Sequence, residues 1–175
     1  MLDPPRMRPA QHLLPFDEAR RRWMATLPAH LRLTIAGRRV LCCHGSPRRV
    51  NEFLWESTTP PPFVERLLRE CDADVVACTH TGLHWSRLDG DGRGIVNAGV
   101  LGRPANDGRT DAWYAWLPAG SRDAEFLAVP YDHDAVAEEI EREGLPPEFA
   151  DTIRTGWWTT CLQILPAKER LRGRH

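Results

Sequence analysis

Two segments of this chain hand a histidine to a loop from the end of an apolar run. They are Val40-Leu41-Cys42-Cys43-His44-Gly45-Ser46-Pro47 and Val75-Val76-Ala77-Cys78-Thr79-His80-Thr81-Gly82-Leu83-His84. Imidazole is the commonest metal ligand among side chains. Donors carried on regular elements are held more precisely than donors on loops. His44 and His80 therefore read as half of a metal site. The competing reading is two polar residues at strand ends, satisfied by hydrogen bonds. A divalent site usually takes three or more protein donors, so the remaining donors must come from elsewhere. Cys42 and Cys43 are adjacent on one strand and point to opposite faces, which suits small buried hydrophobes rather than nucleophiles.

The elements that hold these histidines follow from periodicity. Residues 17–27 have helical spacing and end at Pro28, while Leu31 to Ile35 alternates apolar and polar as a strand. A turn at Ala36-Gly37-Arg38 joins it to a second strand over 39–43. Pro60-Pro61-Pro62 precedes a helix over 63–71 with Phe63, Val64, Leu67 and Leu68 on one face. Val75 to Cys78 is a continuous apolar strand. Strands over 84–88 and 94–97 flank the hairpin turn Asp89-Gly90-Asp91-Gly92, and two further strands cover 112–117 and 125–129. Helices are expected over 134–142 and 147–155, and residues 1–15 are Pro-rich and irregular. The pattern predicts an α/β (α+β) sandwich with sheet and helices in separate layers.

Composition narrows the function classes. The 175 residues suit one domain with a real core, and 23 basic residues balance 24 acidic ones for a net charge of −1. That balance gives no attraction for nucleic acid or for a membrane surface. The clusters Arg20-Arg21-Arg22 and Lys168 to His175 read as a solvated helix face and a frayed end. No apolar run reaches the roughly 18 residues needed to span a bilayer, and the N-terminus has no apolar stretch of a signal peptide. Five cysteines without a Cys-x-x-Cys pair give neither a disulfide framework nor a zinc knuckle, so a reducing cytoplasm is expected.

In order and spacing, these segments resemble the calcineurin-like metallophosphoesterase family in its small bacterial branch. The family's His-Gly motif matches His44-Gly45-Ser46-Pro47. Its Gly-His-Thr-His motif aligns with Thr79-His80-Thr81-Gly82, and its Val-Asn-Pro-Gly-Ser-Val-Gly segment with Val96-Asn97-Ala98-Gly99-Val100-Leu101-Gly102. The Tyr114 strand and Val129-Pro130-Tyr131-Asp132 look like the closing hairpin. The resemblance runs from about Leu27 to the end. It implies an αββα sandwich and hydrolysis of phosphate mono- or diesters at a centre of two divalent ions, with manganese, iron, zinc, nickel or magnesium serving in relatives. It carries His44 and His80 over as ligands of one metal, and Asn97 as a residue bracing the loop that holds His80.

The chain also departs from that pattern. The family's opening motifs, Asp-x-His, Gly-Asp-x-x-Asp and Gly-Asn-His, do not occur before His44. The chain is therefore expected to be a C-terminal portion, with the sandwich incomplete. Asp89-Gly90-Asp91 and Asp132-His133-Asp134 come after His80 and do not replace them. Position 82, which the resemblance makes a ligand of the other metal, is glycine. Period-2 alternation would put His84 on the same face as Gly82, within possible reach of a metal, although His84 can equally just start the next strand. Thr79 stands where relatives have glycine, costly if the backbone there needs positive φ.

Without bridging carboxylates, activation of a bound water is weak, and little phosphoesterase activity is expected from this chain alone. The alternative is a non-catalytic interaction or regulatory module. Strands lost from the sheet would leave unpaired edges and apolar surface around 40–43 and 75–78, open to a partner or a homodimer. Arg103 and Arg109 could face a phosphate but read as solvated loop arginines. Trp113 and Trp116 belong to a strand, and Trp157-Trp158 to a C-terminal segment docked on the body.

Overall fold

In the computed structural model, residues 17–171 are described. The irregular segment expected over 1–15 and the last four residues of the basic tail lie outside them. Asp17 caps the first helix, α1 (Glu18–Ala25), by accepting the Arg20 N–H at 2.8 Å. The next strands are β1 (His30–Ile35) and β2 (Arg38–Cys43), joined by a turn with positive φ at both Ala36 and Gly37. Then come α2 (Pro61–Cys71), β3 (Val75–Cys78), β4 (His84–Leu88) and β5 (Gly94–Ala98). A hairpin of β6 (Ala112–Trp116) and β7 (Glu125–Val129) follows. The chain closes with α3 (His133–Arg142), α4 (Pro147–Thr155), a 3-10 turn at Leu162–Ile164 and α5 (Ala167–Arg170).

Five strands form one mixed sheet in the order β1-β2-β3-β5-β4. β2, β3 and β5 run parallel, and β1 and β4 close the two edges antiparallel. Parallel neighbours need a long crossover, and α2 supplies the one between β2 and β3. Side-chain alternation divides the core into two layers. Leu41, Val76, Cys78, Trp85 and Ile95 face α2 and meet its Val64, Leu67 and Leu68. Val40, Val75 and Val96 face the other way, together with Cys42 and Ala77, and meet Ala115 and Phe126 of the β6–β7 hairpin. Cys42 and Cys43 do part to opposite faces, and burial pushes the Cys43 thiol up to about 12. The α/β class and the layered sandwich expected from the sequence are both present, with two strands in the second sheet among the described residues.

One expectation needs correcting. The segments 40–43 and 75–78 are not edges: β2 lies between β1 and β3, and β3 between β2 and β5. The hairpin strand β1 takes the edge instead, and all six of its residues are exposed. The register of β2 on β3 is pinned at its start by Asp74. Its carboxylate accepts the Arg39 backbone N–H and the Arg39 guanidinium, each at 2.9 Å, which holds the carboxyl down to about 2. No helix among the described residues is long and apolar enough to cross a membrane.

Leu67 is 1% exposed between α2 and the sheet, whereas Leu31 on the edge strand is 51% exposed. Leu67→Ala is expected to cost about 2–5 kcal/mol in urea denaturation. Leu31→Ala should stay within about 0.5 kcal/mol of the parent. Equal losses at the two positions would contradict this layering.

Candidate functional site at the strand ends

β2 and β3 end side by side, and the loops that leave them carry His44 and His80. The loop after His44 turns at Gly45, with φ +69°. A Cβ there would lie 2.4 Å from the Val50 carbonyl oxygen, so only glycine fits. Buried Ser46 locks this loop: its Oγ accepts the Arg48 and Arg49 N–H groups at 3.1 Å and donates to Glu52. The loop after β3 puts the positive φ on His80 itself, at +87°, and on Gly82 at +76°. Thr79 is not among the positive-φ residues, so the strain expected at Thr79 falls one residue later. A non-glycine residue held in this region is a strained feature that surrounding structure must enforce.

The two imidazoles face each other, with His44 Nε2 and His80 Nδ1 2.9 Å apart, and Thr79 Oγ1 stands 2.8 Å from His44 Nδ1. Phe53 packs on the His80 ring at 4.4 Å and stacks on Trp55 at 5.1 Å. Burial pulls the His80 imidazole below its ordinary value, the neighbouring His44 pulls it further, and a hydrogen bond with the Asn51 backbone opposes both. The tautomers set the direction of these contacts. A neutral His80 that donates to the Asn51 carbonyl must accept at Nδ1. His44 then donates from Nε2 and accepts the Thr79 hydroxyl proton at Nδ1. In that arrangement each of the two contacting nitrogens of His44 and the Nδ1 of His80 has a partner within the protein.

The donor set does not fit the expected two-metal centre. The 2.9 Å between the rings is an ordinary hydrogen-bond separation and also that of adjacent donors on an octahedral ion, so the number of donors decides the fit. Among the described residues, no three His, Cys, Asp or Glu side chains are grouped so as to hold a metal. His84 does not complete the set. It is 7% exposed with its ring against Trp113 at 4.4 Å and Phe126 at 4.8 Å, on the sheet face covered by the hairpin. At position 82 the structure goes beyond the loss of a side chain. A Cβ on Gly82 would lie 2.7 Å from the Trp158 ring, so Trp158 fills the space into which a ligand at this position would project.

Asn97 is fully buried, and its hydrogen bonds reach the 51–55 segment and the Gly99 turn, which lies against the Gly82–His84 backbone. It donates to the Leu54 carbonyl at 3.5 Å and accepts the Gly99 N–H at 3.0 Å, and Trp85 donates to the same Leu54 carbonyl at 2.9 Å. It thus steadies the 51–55 segment, whose Phe53 packs on His80. Arg103 is not solvated: it lies 3.7 Å over the Trp158 ring and donates to the Thr160 carbonyl at 2.6 Å. Arg109 is exposed, pairs with Asp107 at 2.9 Å and covers Trp113 at 4.3 Å. Trp158 docks the C-terminal segment on the body as expected, and its place over Gly82 is a contact that no local spacing in the sequence signals.

No family model and no curated protein matches this sequence. Solved structures do. The crystal structure of a metallophosphoesterase from Sphaerobacter thermophilus superposes with a TM-score of 0.68 at 18% identity, covering 89% of this chain and 71% of that one. The fold is that of a metallophosphoesterase. A hypothetical protein of Pyrococcus horikoshii, PH1004, gives a TM-score of 0.64 at 22% identity over 79% of this chain. The chain spans only about half of that protein's length, 54%. At these identities the likeness is one of fold. Within the metallophosphoesterase fold, the two strand-end histidines are bonded to each other rather than assembled with carboxylates.

The His80 shift has a defined sign. Its folded value lies below its unfolded value of about 6.5, so the unfolded chain binds the extra proton as pH falls. The stabilising contribution is therefore complete above pH 6.5 and is lost on acidification. The thermal midpoint is expected to drop between pH 7.5 and pH 5, and His80→Gln should reduce that drop. An unchanged pH dependence in the variant would rule out His80 as its source.

Proposed function

We propose that this chain is a metallophosphoesterase-fold protein impaired in hydrolysis, which works as a non-catalytic interaction module. The observation that carries this reading is that the described residues bring no third His, Cys, Asp or Glu donor to His44 and His80, which stand 2.9 Å apart with Thr79 on one side. Trp158 over Gly82 supports it, because that contact removes the position from which a further donor would project. The imidazole pair offers polar recognition at a rigid sheet end, with Phe53 as an aromatic wall. A second reading is metal-dependent hydrolysis of a phosphate mono- or diester. Its support is that His44 and His80 stand together at the ends of adjacent parallel strands. It requires carboxylate donors that the described residues do not bring to this pair.

Turnover of p-nitrophenyl phosphate and bis(p-nitrophenyl) phosphate, with manganese or zinc supplied, separates the two readings. We expect background rates and less than about one equivalent of retained metal, since two imidazoles alone bind weakly. Turnover that disappears in His44→Ala would establish the hydrolase reading instead.

The partner surface in this reading is the open edge of β1, where an exposed six-residue strand can pair with a second copy. Light scattering should then give a mass that rises with concentration, and Thr34→Pro should abolish the rise. A parent that stays monomeric throughout excludes this mode of association.

A further inference from the structure

Helices α3 and α4 pack on each other through Ala137, Ile140, Ala150 and Ile153. Where this pair meets the loop at Gly102 and Arg103, a groove of about 270 Å³ opens. Leu145 and Phe149 line it and remain 42% and 43% exposed. Val136 stands one turn before Ile140 on α3, and Leu101 stands next to Gly102. Both are exposed and lengthen the apolar surface. Monomeric proteins leave few such contiguous patches uncovered. The volume falls below the roughly 300–1,000 Å³ of pockets that enclose a small molecule. It suits a few side chains presented by a larger partner.

Charge indicates which partner. Residues 132–154 hold eight acidic side chains against two basic ones, in a chain whose totals nearly balance. All eight acidic residues are exposed. Both arginines are engaged, Arg142 with Glu139 and Arg154 with Glu141. Glu143 and Glu148 make no ion pair among the described residues. They border the groove: Glu143 is three residues from Ile140 and Glu148 four from Thr152, the spacing of neighbours on one helix face. Arg103, the one cation in the lining, lies over the Trp158 ring and donates to the Thr160 carbonyl, so its guanidinium is engaged within the protein. An apolar trough edged by unpaired carboxylates complements apolar residues flanked by cations.

We propose that the α3–α4 groove docks a basic amphipathic helix of a partner protein. Its apolar residues, one helical turn apart, lie along Val136, Ile140 and Phe149, and its Lys or Arg side chains pair with Glu143 and Glu148. A helix suits the surface because Val136 and Ile140 form a ridge along α3, and helical ridges pack against one another. The groove shares no residue with the histidine pair or the β1 edge, so it stands whichever reading of those holds.

The test is a titration of the full chain with a short acetylated peptide of leucine and lysine, its leucines at helical spacing, followed by amide chemical shifts. Saturable shifts should map to Ile140, Leu145 and Phe149. The same peptide with glutamine for lysine should bind about threefold to tenfold more weakly, as the loss of two exposed ion pairs implies. Added salt should close that gap. Glu143→Gln combined with Glu148→Gln should erase the lysine advantage and leave binding of the glutamine peptide intact. Phe149→Ser should weaken both peptides, and Leu145→Ser takes its place if the thermal midpoint of that variant falls. Equal affinities for the two peptides, a double variant that keeps the advantage, or no saturable binding would each overturn the proposal. Equal binding of a peptide with the same leucines and lysines in strict alternation would remove the helical occupant and overturn it too. So would tighter binding of a peptide of residues 17–27, whose Arg20-Arg21-Arg22-Trp23-Met24 is itself basic and apolar, because that assigns the groove to a second copy. Sedimentation with phosphatidylcholine vesicles in the absence of peptide binding would assign it to a membrane and likewise overturn it.

Discussion

The parallel pairing of Val40–Cys42 with Val75–Ala77 is the constraint on which the rest of the site depends. Parallel strands that start level also end level, so the residues just beyond them are neighbours whatever the loops contain. His44 and His80 meet for this reason. Asp74 sets the pairing from the other end by holding both the backbone and the guanidinium of Arg39. A one-residue slip would exchange every side chain between the α2 face and the hairpin face. It would also carry one histidine away from the other. Register and chemistry are thus a single property of this sheet.

Most of the fold was legible because its signals are local. The apolar run at Val75–Cys78 is bounded by loop residues, the Asp-Gly repeat at 89–92 closes a hairpin, and proline stands at the first helical positions of α2 and α4. The places where the reading went astray depend on contacts between distant segments. Edge and centre were exchanged for 40–43, because strand order is set by the crossover through α2 rather than by composition. His84 was placed by counting alternation from Gly82, yet Gly82 has a positive φ and interrupts the extended run, so the count restarts at β4. Arg103 looked solvated because its partners, Trp158 and Thr160, lie more than fifty residues away in the chain.

The histidine pair was legible as a pair but not as a chemistry. Spacing alone cannot distinguish two imidazoles that share an ion from two that share a proton. The distinction lies in the surroundings. Thr79 and the Asn51 backbone supply a donor and an acceptor at the two ends of the pair, and the space beyond Gly82 is filled by an indole. A centre that activates water needs concentrated negative charge to hold its ions. Here His80 is partly shielded by Phe53 and has His44 beside it, an environment that favours its uncharged imidazole.

Trp158 has a consequence for local stability. Its indole donates to the Pro104 carbonyl at 2.7 Å, its backbone N–H donates to Asn106 at 2.9 Å, and its ring covers the Gly82 turn. With Trp55, Leu83 and Leu165 it forms a small core of its own. Proteins open in contiguous cooperative units, and this cluster makes the C-terminal segment and the loop bearing His80 members of one such unit. The strained backbone at His80 is then maintained by residues almost eighty positions away. Detachment of the C-terminal segment would release that strain and loosen the imidazole pair while the central sheet remained folded.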